Sequence, residues 1–298
     1  MLNDFINKVN RRYRIFLGHF FPKKLANILY VERTKKREGI SWCAPKDLNE
    51  KINWLKFYSD TAMWTTLADK YNVREFICQK GFEDILVKLY GVWESPDEID
   101  FDNLPNKFVI KTNNGAGTVW VVRDKKSTNI LQLKENLRSA LKIKFGVESA
   151  EPHYLKIKPL IIAEELLEEN NSFSTSLVDY KVWCFDGKVF ATWCCYNRKG
   201  FEADTEWHDL DWKFRPEWSI FTDHYKNGHG RVPCPSSYTR MMEIASTLSK
   251  GFPQVRIDFY NVRGRIYFGE MTFTCAGGYM NFYSQEVLDI MGDMIQLD

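Results

Sequence analysis

At 298 residues the chain is long enough for one large domain or two interlocked ones, and with 44% hydrophobic and 27% charged residues it lies far from the compositions that stay disordered. A net charge of only +2 argues against a general polyanion binder, so nucleic acid is not an expected partner. No run approaches the about 18 apolar residues of a spanning helix, the Met1 to Asp4 start lacks a signal-peptide layout, and seven cysteines without a C-x-x-C pair fit neither a disulfide framework nor a zinc cage; the reading is a cytoplasmic protein with reduced, packed thiols.

In chain order, residues 1–37 come first. They hold ten Lys and Arg against Asp4 and Glu32, a local net of +8, which leaves −6 for the remainder. Phe5, Ile6, Val9, Tyr13, Phe16, Leu17, Phe20 and Phe21 interleave with those charges at helical spacing. Two readings stay open: a helix docked on its own domain with a solvated basic face, or one lying on an anionic membrane. Residues 42–90 read as helices, with Asp47 as a cap before Leu48, Ile52 and Leu55.

From residue 107 the texture becomes β-like. Lys107 to Thr112 and Thr118 to Arg123 read as strands about the turn Asn113-Asn114-Gly115-Ala116-Gly117. Residues 128–145 follow as a helix and Leu160 to Glu165 as an extended segment. Val178 to Phe185 and Lys188 to Tyr196 form a hairpin about Asp186-Gly187. Residues 200–237, with Trp207, Trp212 and Trp218, read as an irregular functional loop or insertion. Tyr238 to Lys250 is helical, and a last hairpin joins Val255 to Tyr260 with Arg265 to Phe273.

Four places carry chemistry, one of them the apolar strand Ile161 to Leu167, which runs into the acids Glu164 and Glu165. Lys111 ends a strand and opens the glycine loop, where backbone N–H groups and an ammonium can meet a phosphate. A returning strand follows instead of a helix, which disfavours both a P-loop and a dinucleotide fold. On the last hairpin, alternation puts Arg256, Asp258 and Tyr260 on one face; an odd-numbered connection at residues 261–264 would place Asp258 and Glu270 side by side, with Cβ atoms about 5 to 8 Å apart. Two carboxylates that close need a cation, a proton or an arginine between them, and oxygen ligands suit Mg²⁺. The third place is Asp179-Tyr180-Lys181 on the Asp186-Gly187 hairpin.

Together with Ala68-Asp69-Lys70-Tyr71-Asn72-Val73-Arg74, Leu89 to Trp93, Leu104 to Asn113, Ile162 to Glu165 and Phe268 to Thr274, these pieces resemble, over about residues 62–290, the ATP-grasp superfamily. The texture is that of its TupA-like branch, associated with teichuronopeptide and capsular polysaccharide biosynthesis. The resemblance implies an α+β ATP-grasp fold in which two α/β subdomains, 61–162 and 163–298, clasp a nucleotide behind a basic helical region, 1–60. It implies Lys70 and Lys111 as nucleotide-facing lysines, Gly115 and Gly117 closing over the triphosphate, Glu164, Glu165, Leu166 and Leu167 as the adenine hinge, and Asp179 as the ribose contact. Asp258 and Glu270 become Mg²⁺ ligands, with Thr272 where many relatives carry Asn. Arg256 steadies an acyl phosphate, and Lys181 is basic on the substrate side. The loop Thr274 to Gly278 departs from a commoner Pro-Gly or Pro-Ala form.

The activity so implied is an ATP-dependent carboxylate–amine ligase working through an acyl phosphate, with ATP and Mg²⁺ as cofactors, and with a carboxylate-bearing saccharide or its precursor and an amine as substrates. Neither histidine nor cysteine is needed as a nucleophile, although Cys275 lies in the acyl-phosphate loop. Two rivals stay open: a phosphotransferase acting on a sugar hydroxyl, and a catalytically degraded scaffold that binds polysaccharide for glycosyltransferases.

Overall fold

The computed structural model describes residues 2–169 and 172–297, with side chains from residue 9 onward. Phe5, Ile6 and Lys8 of the basic segment therefore lie outside the described side chains. The chain opens with α1 (Leu2–Phe20) and α2 (Pro22–Thr34), the latter entered through Pro22, whose missing N–H costs nothing in a first helical turn. Then come α3 (Leu48–Tyr58), α4 (Ala62–Ala68) and α5 (Val73–Gln79). Asp47 caps α3 as expected, accepting the Glu50 N–H at 2.9 Å.

The expected run of helices to residue 90 ends earlier, because Leu89 and Tyr90 belong to strand β1 (Leu89–Trp93). That strand bulges between Leu89 and Gly91, and a Cβ added at Gly91 would strike the Trp93 ring at 2.3 Å. Beyond it lie β2 (Phe108–Thr112), β3 (Val119–Val122), α6 (Ile130–Leu141) and β4 (Ile161–Glu164). These strands make one antiparallel sheet in the order β1-β4-β2-β3. Its core, with Phe108, Ile110, Leu133, Leu137 and Ala163, is separate from the main one.

The second sheet is built from β5 (Asp179–Phe185), β6 (Lys188–Lys199), β7 (Glu202–His208), β8 (Tyr225–Asn227), β9 (Val255–Val262) and β10 (Arg265–Thr272), in the order β10-β9-β5-β6-β7-β8. Helix α7 (Tyr238–Ser249) lies across β5, β6 and β9, and α8 (Gln285–Asp293) packs on α3. Asp186 and Gly187 both have positive φ, 45° and 80°, as a two-residue hairpin turn of this type requires.

Residues 200–237 are not an irregular loop throughout. β7 is a full strand on β6, and β8 runs parallel to it at the sheet edge. The sequence hides this strand because Glu206 interrupts the apolar pattern. Glu206 is fully buried, yet it accepts hydrogen bonds from the Tyr196 hydroxyl at 2.6 Å and from the Arg231 and Val232 N–H groups at 2.8 and 3.2 Å.

Leu48, Ile52, Leu55, Trp64, Leu67, Val73 and Ile77 all join the core of the six-stranded sheet, so α3, α4 and α5 pack with the C-terminal half. The 162/163 boundary falls inside β4. All seven cysteines are free, four of them buried. Among the described residues no helix is long and apolar enough to cross a membrane.

Candidate functional site

The two sheets face a cleft of about 590 Å³ lined by Lys70, Lys111, Gly115, Gly117, Glu164, Glu165, Leu166, Leu167, Asp179, Lys181, Asp258 and Glu270. Twelve of the fourteen expected site residues therefore meet there. The other two, Arg256 and Thr272, stand directly behind and bond to the lining acids.

On the six-stranded side the register makes a row across the face: Glu270 opposite Asp258, Asp258 opposite Lys181, Lys181 opposite Trp193, Trp193 opposite Trp207. The pairing of Asp258 with Glu270 does not arise as expected. The β9–β10 turn has two residues, Arg263 and Gly264, and an even connection alone would pair Asp258 with Gly269 and turn Glu270 toward the core with Ile257. A bulge between Phe268 and Glu270 supplies the missing residue and returns Glu270 to the site face. Gly269 is suited to that point, since a Cβ there would sit 2.9 Å from the Asp258 carbonyl oxygen. The signal was in the sequence: buried Ile266, Phe268, Met271 and Phe273 skip one beat of the two-residue period between 268 and 271.

Arg256 occupies the place between the two carboxylates. Its Nε donates to Asp258 Oδ1 at 2.7 Å, and Nη2 donates to Asp258 Oδ2 at 2.8 Å, Glu270 Oε1 at 3.2 Å and Thr272 Oγ1 at 3.2 Å. Its Nη1 reaches Cys275 Sγ at 2.8 Å. Lys181 pairs with Asp258 and lies 3.7 Å from Asp179, which also pairs with Arg198. Burial alone would raise the Asp258 pKa, but Arg256 and Lys181 hold it below the usual carboxylate range. Burial likewise opposes the charge on Lys181, and Asp179 and Asp258 more than restore it, so its pKa is raised. Burial pushes the Cys275 thiol up, so it stays protonated despite Arg256.

On the four-stranded side Lys111 Nζ lies 2.5 Å from Glu164, whose other oxygen is 3.4 Å from Arg74. Lys70 Nζ donates to the Gly115 carbonyl at 2.5 Å and stands 3.7 Å from Glu270 Oε2, so it links the glycine loop to the opposite sheet. Burial lowers its pKa. The root of the loop is pinned by buried Asn113, which donates to Asp69 at 2.8 Å and accepts the Leu160 N–H at 2.7 Å.

Sequence reasoning missed Arg198, and it missed how the loop after β10 is held. Ala276, Gly277 and Gly278 all have positive φ, at 48°, 72° and 79°, a strained run for which only surrounding contacts can compensate. Those contacts come from one stripe of α3: Asn53 Nδ2 donates to the Gly278 carbonyl at 2.8 Å, Lys56 Nζ to the Gly277 carbonyl at 2.9 Å, and Asn49 bonds Met280 in both directions. The i, i+4, i+7 spacing of Asn49, Asn53 and Lys56 was the available signal.

The donor set fits a polyphosphate with a divalent ion. Cationic Lys70, Lys111, Lys181 and Arg198 converge on one cleft, while Glu270, about one-third exposed, turns a carboxylate toward it. Among the described residues no group of three His, Cys, Asp or Glu side chains could hold a metal alone. Glu270 suits an ion whose remaining ligands are phosphate oxygens and water, and Asp258 would join it by exchanging Lys181 or Arg256, which between them take both its oxygens.

Residues 50–296 match the family described as TupA-like ATPgrasp. No curated protein matches. Among solved structures, D-alanine–D-alanine ligase from Bacillus anthracis is 15% identical, with 84% of this chain and 69% of that one covered and a TM-score of 0.43. The same enzyme complexed with ATP is 14% identical, with 84% and 68% covered and a TM-score of 0.47. An L-amino acid ligase from Bacillus licheniformis is 15% identical, with 78% and 50% covered and a TM-score of 0.44. With the family matched over most of its length and two sheets enclosing one charged cleft, the chain belongs to the TupA-like ATP-grasp family, and its α+β architecture is the ATP-grasp fold.

Proposed function

We propose that the protein is an ATP-dependent carboxylate–amine ligase of cell-surface polysaccharide biosynthesis, which joins an amino acid to a uronic acid or its precursor through an acyl phosphate. The observation that carries the reading is the convergence of Lys70, Lys111, Lys181, Asp258 and Glu270 on one cleft, with Arg256 behind the two acids. A carboxylate is a poor acyl donor because its oxygen leaves poorly. Phosphoryl transfer from ATP converts that oxygen into part of a phosphate, and attack by the amine then releases the phosphate and forms the amide.

The chain's own residues supply positioning and charge. Lys111 and Lys70 each exchange a present partner, Glu164 and the Gly115 carbonyl, for phosphate oxygens. Leu166 and Leu167 offer the nucleotide base an apolar wall, and Asp179 lines the same cleft for the ribose. Arg256 bonds Asp258 and Glu270 side by side and stabilises charge developing at transfer. A divalent ion held by Asp258 and Glu270, with Thr272 adjoining, would neutralise phosphate oxygens.

Incubation with Mg-ATP and a panel of uronic acids and amino acids tests the reading. ADP, phosphate and an amide are expected; a phosphosugar with ADP would establish the phosphotransferase instead, and glycan binding with no turnover the scaffold. Glu270→Gln, which keeps side-chain volume and removes the charge, should abolish turnover while the folded protein remains.

A further inference from the structure

Helix α1 turns an apolar stripe away from the protein. Val9, Tyr13, Phe16 and Phe20 follow a 4-3-4 spacing, which places them on one helix face. They and Phe21 are 48–67% exposed. The aromatic rings form a group, with Phe16 5.1 Å from Phe20 and 6.1 Å from Phe21. The helix docks by its other side. Leu17 is buried with Leu25, Leu29 and Tyr30, and Gly18 lies so close to the Val147 carbonyl that a Cβ there would be 1.9 Å from its oxygen. Arg14 pairs with Glu32 at 2.8 Å and Arg11 with Glu148 at 2.9 Å. Packing on its own domain therefore explains Leu17 and Gly18 and leaves the aromatic stripe unaccounted for.

Charge decides what covers it. The stripe lies in a segment of net charge +8, and Arg12 and Lys24 stand exposed near it. A second copy docked through the same stripe by a two-fold axis would set two such segments against each other, which is repulsive. An anionic lipid surface offers the opposite charge together with an apolar layer for the rings. We infer that α1 is an interfacial anchor, with Phe16, Phe20 and Phe21 entering the acyl boundary of an anionic bilayer and the basic residues beside them meeting the headgroups. The inference does not rest on the ligase reading, because vesicle binding needs no turnover.

Co-sedimentation of the full chain with vesicles of phosphatidylglycerol and phosphatidylcholine provides the test. Binding is expected at low salt, should weaken at least about tenfold between about 50 and about 500 mM salt, and should be absent with pure phosphatidylcholine. Phe16→Ser combined with Phe20→Ser, both at exposed positions, should lower binding at least about tenfold with an unchanged melting temperature. Should that variant misfold, Arg12→Glu with Lys24→Glu is expected to lower binding similarly. The inference is overturned by absent binding at low salt, by equal binding to neutral vesicles, by a folded serine variant that binds as well as the parent, or by a dimer in sedimentation velocity that the serine variant dissociates.

Discussion

The four-stranded and six-stranded sheets offer charged side chains to the same cleft in different states of readiness. On β9, β10 and β5 the charges are buried and multiply bonded: Arg256 alone serves Asp258, Glu270, Thr272 and Cys275. On β2 and β4 the pairing is simpler, with Lys111 and Arg74 sharing Glu164, and the glycine loop is tied across the cleft by a single lysine, Lys70. A network of many bonds resists movement, since losing one member strands the others in a medium that solvates charge poorly. A lysine beside the cleft whose carboxylate keeps a second cation, as Glu164 keeps Arg74, can trade partners at lower cost. The contrast fits a six-stranded sheet that holds geometry and, on the proposed reading, a four-stranded sheet that receives the nucleotide.

Breaking the rigid side should have the largest effect. Arg256→Ala leaves Asp258 and Glu270 facing each other without their shared guanidinium, and stability should fall by about 3 to 5 kcal/mol in chemical denaturation. A loss below about 1 kcal/mol would mean that the network is not what fixes this side.

The seam between the halves offers a second test. His153 is fully buried edge-on to Trp64 at 5.7 Å, Trp64 stacks on Phe273, and among the described residues neither His153 ring nitrogen has a hydrogen-bond partner. Burial, with Lys56 and Lys156 adding to it, pushes its pKa down to about 3. The folded value lies below the unfolded one, so between them the unfolded state binds the extra proton. The stability tied to the neutral ring is thus complete above about pH 6.5 and is lost as pH falls toward 3, amounting to about 2 kcal/mol between pH 7 and 5. Denaturation midpoints for His153→Phe should be flatter over that interval; parallel curves for parent and variant would show that another group governs it.

On the receiving side the effect should be smallest in stability and confined to binding. Lys111→Ala leaves Glu164 with Arg74, so the fold should persist while calorimetric ATP affinity drops at least about tenfold, or about 1.4 kcal/mol. Unchanged affinity would remove Lys111 from the nucleotide site and weaken the contrast between the sheets.

Much of this was legible from local chemistry. The Asp186-Gly187 turn, the Asp47 cap and the Asn113 to Gly117 loop depend on residues adjacent in sequence, and the structure places each where those residues indicate. The strand at Glu202–His208 was not legible, because the donors that make a buried Glu206 tolerable come from β6 and from residues 231 and 232.

By itself the sequence determined which residue types stand on most of the strands, those at Leu89–Trp93 and Glu202–His208 excepted, since alternation and turn chemistry act over a few residues. It also determined the apolar and basic pattern of α1, but not which way that helix faces. Tertiary structure alone decided that outward stripe, the company of Arg256, and the meeting of Asp258 with Glu270. Each of these turns on where a distant segment packs or on a one-residue slip in register at Gly269, and in a sheet of period two a slip of one exchanges the core face for the site face.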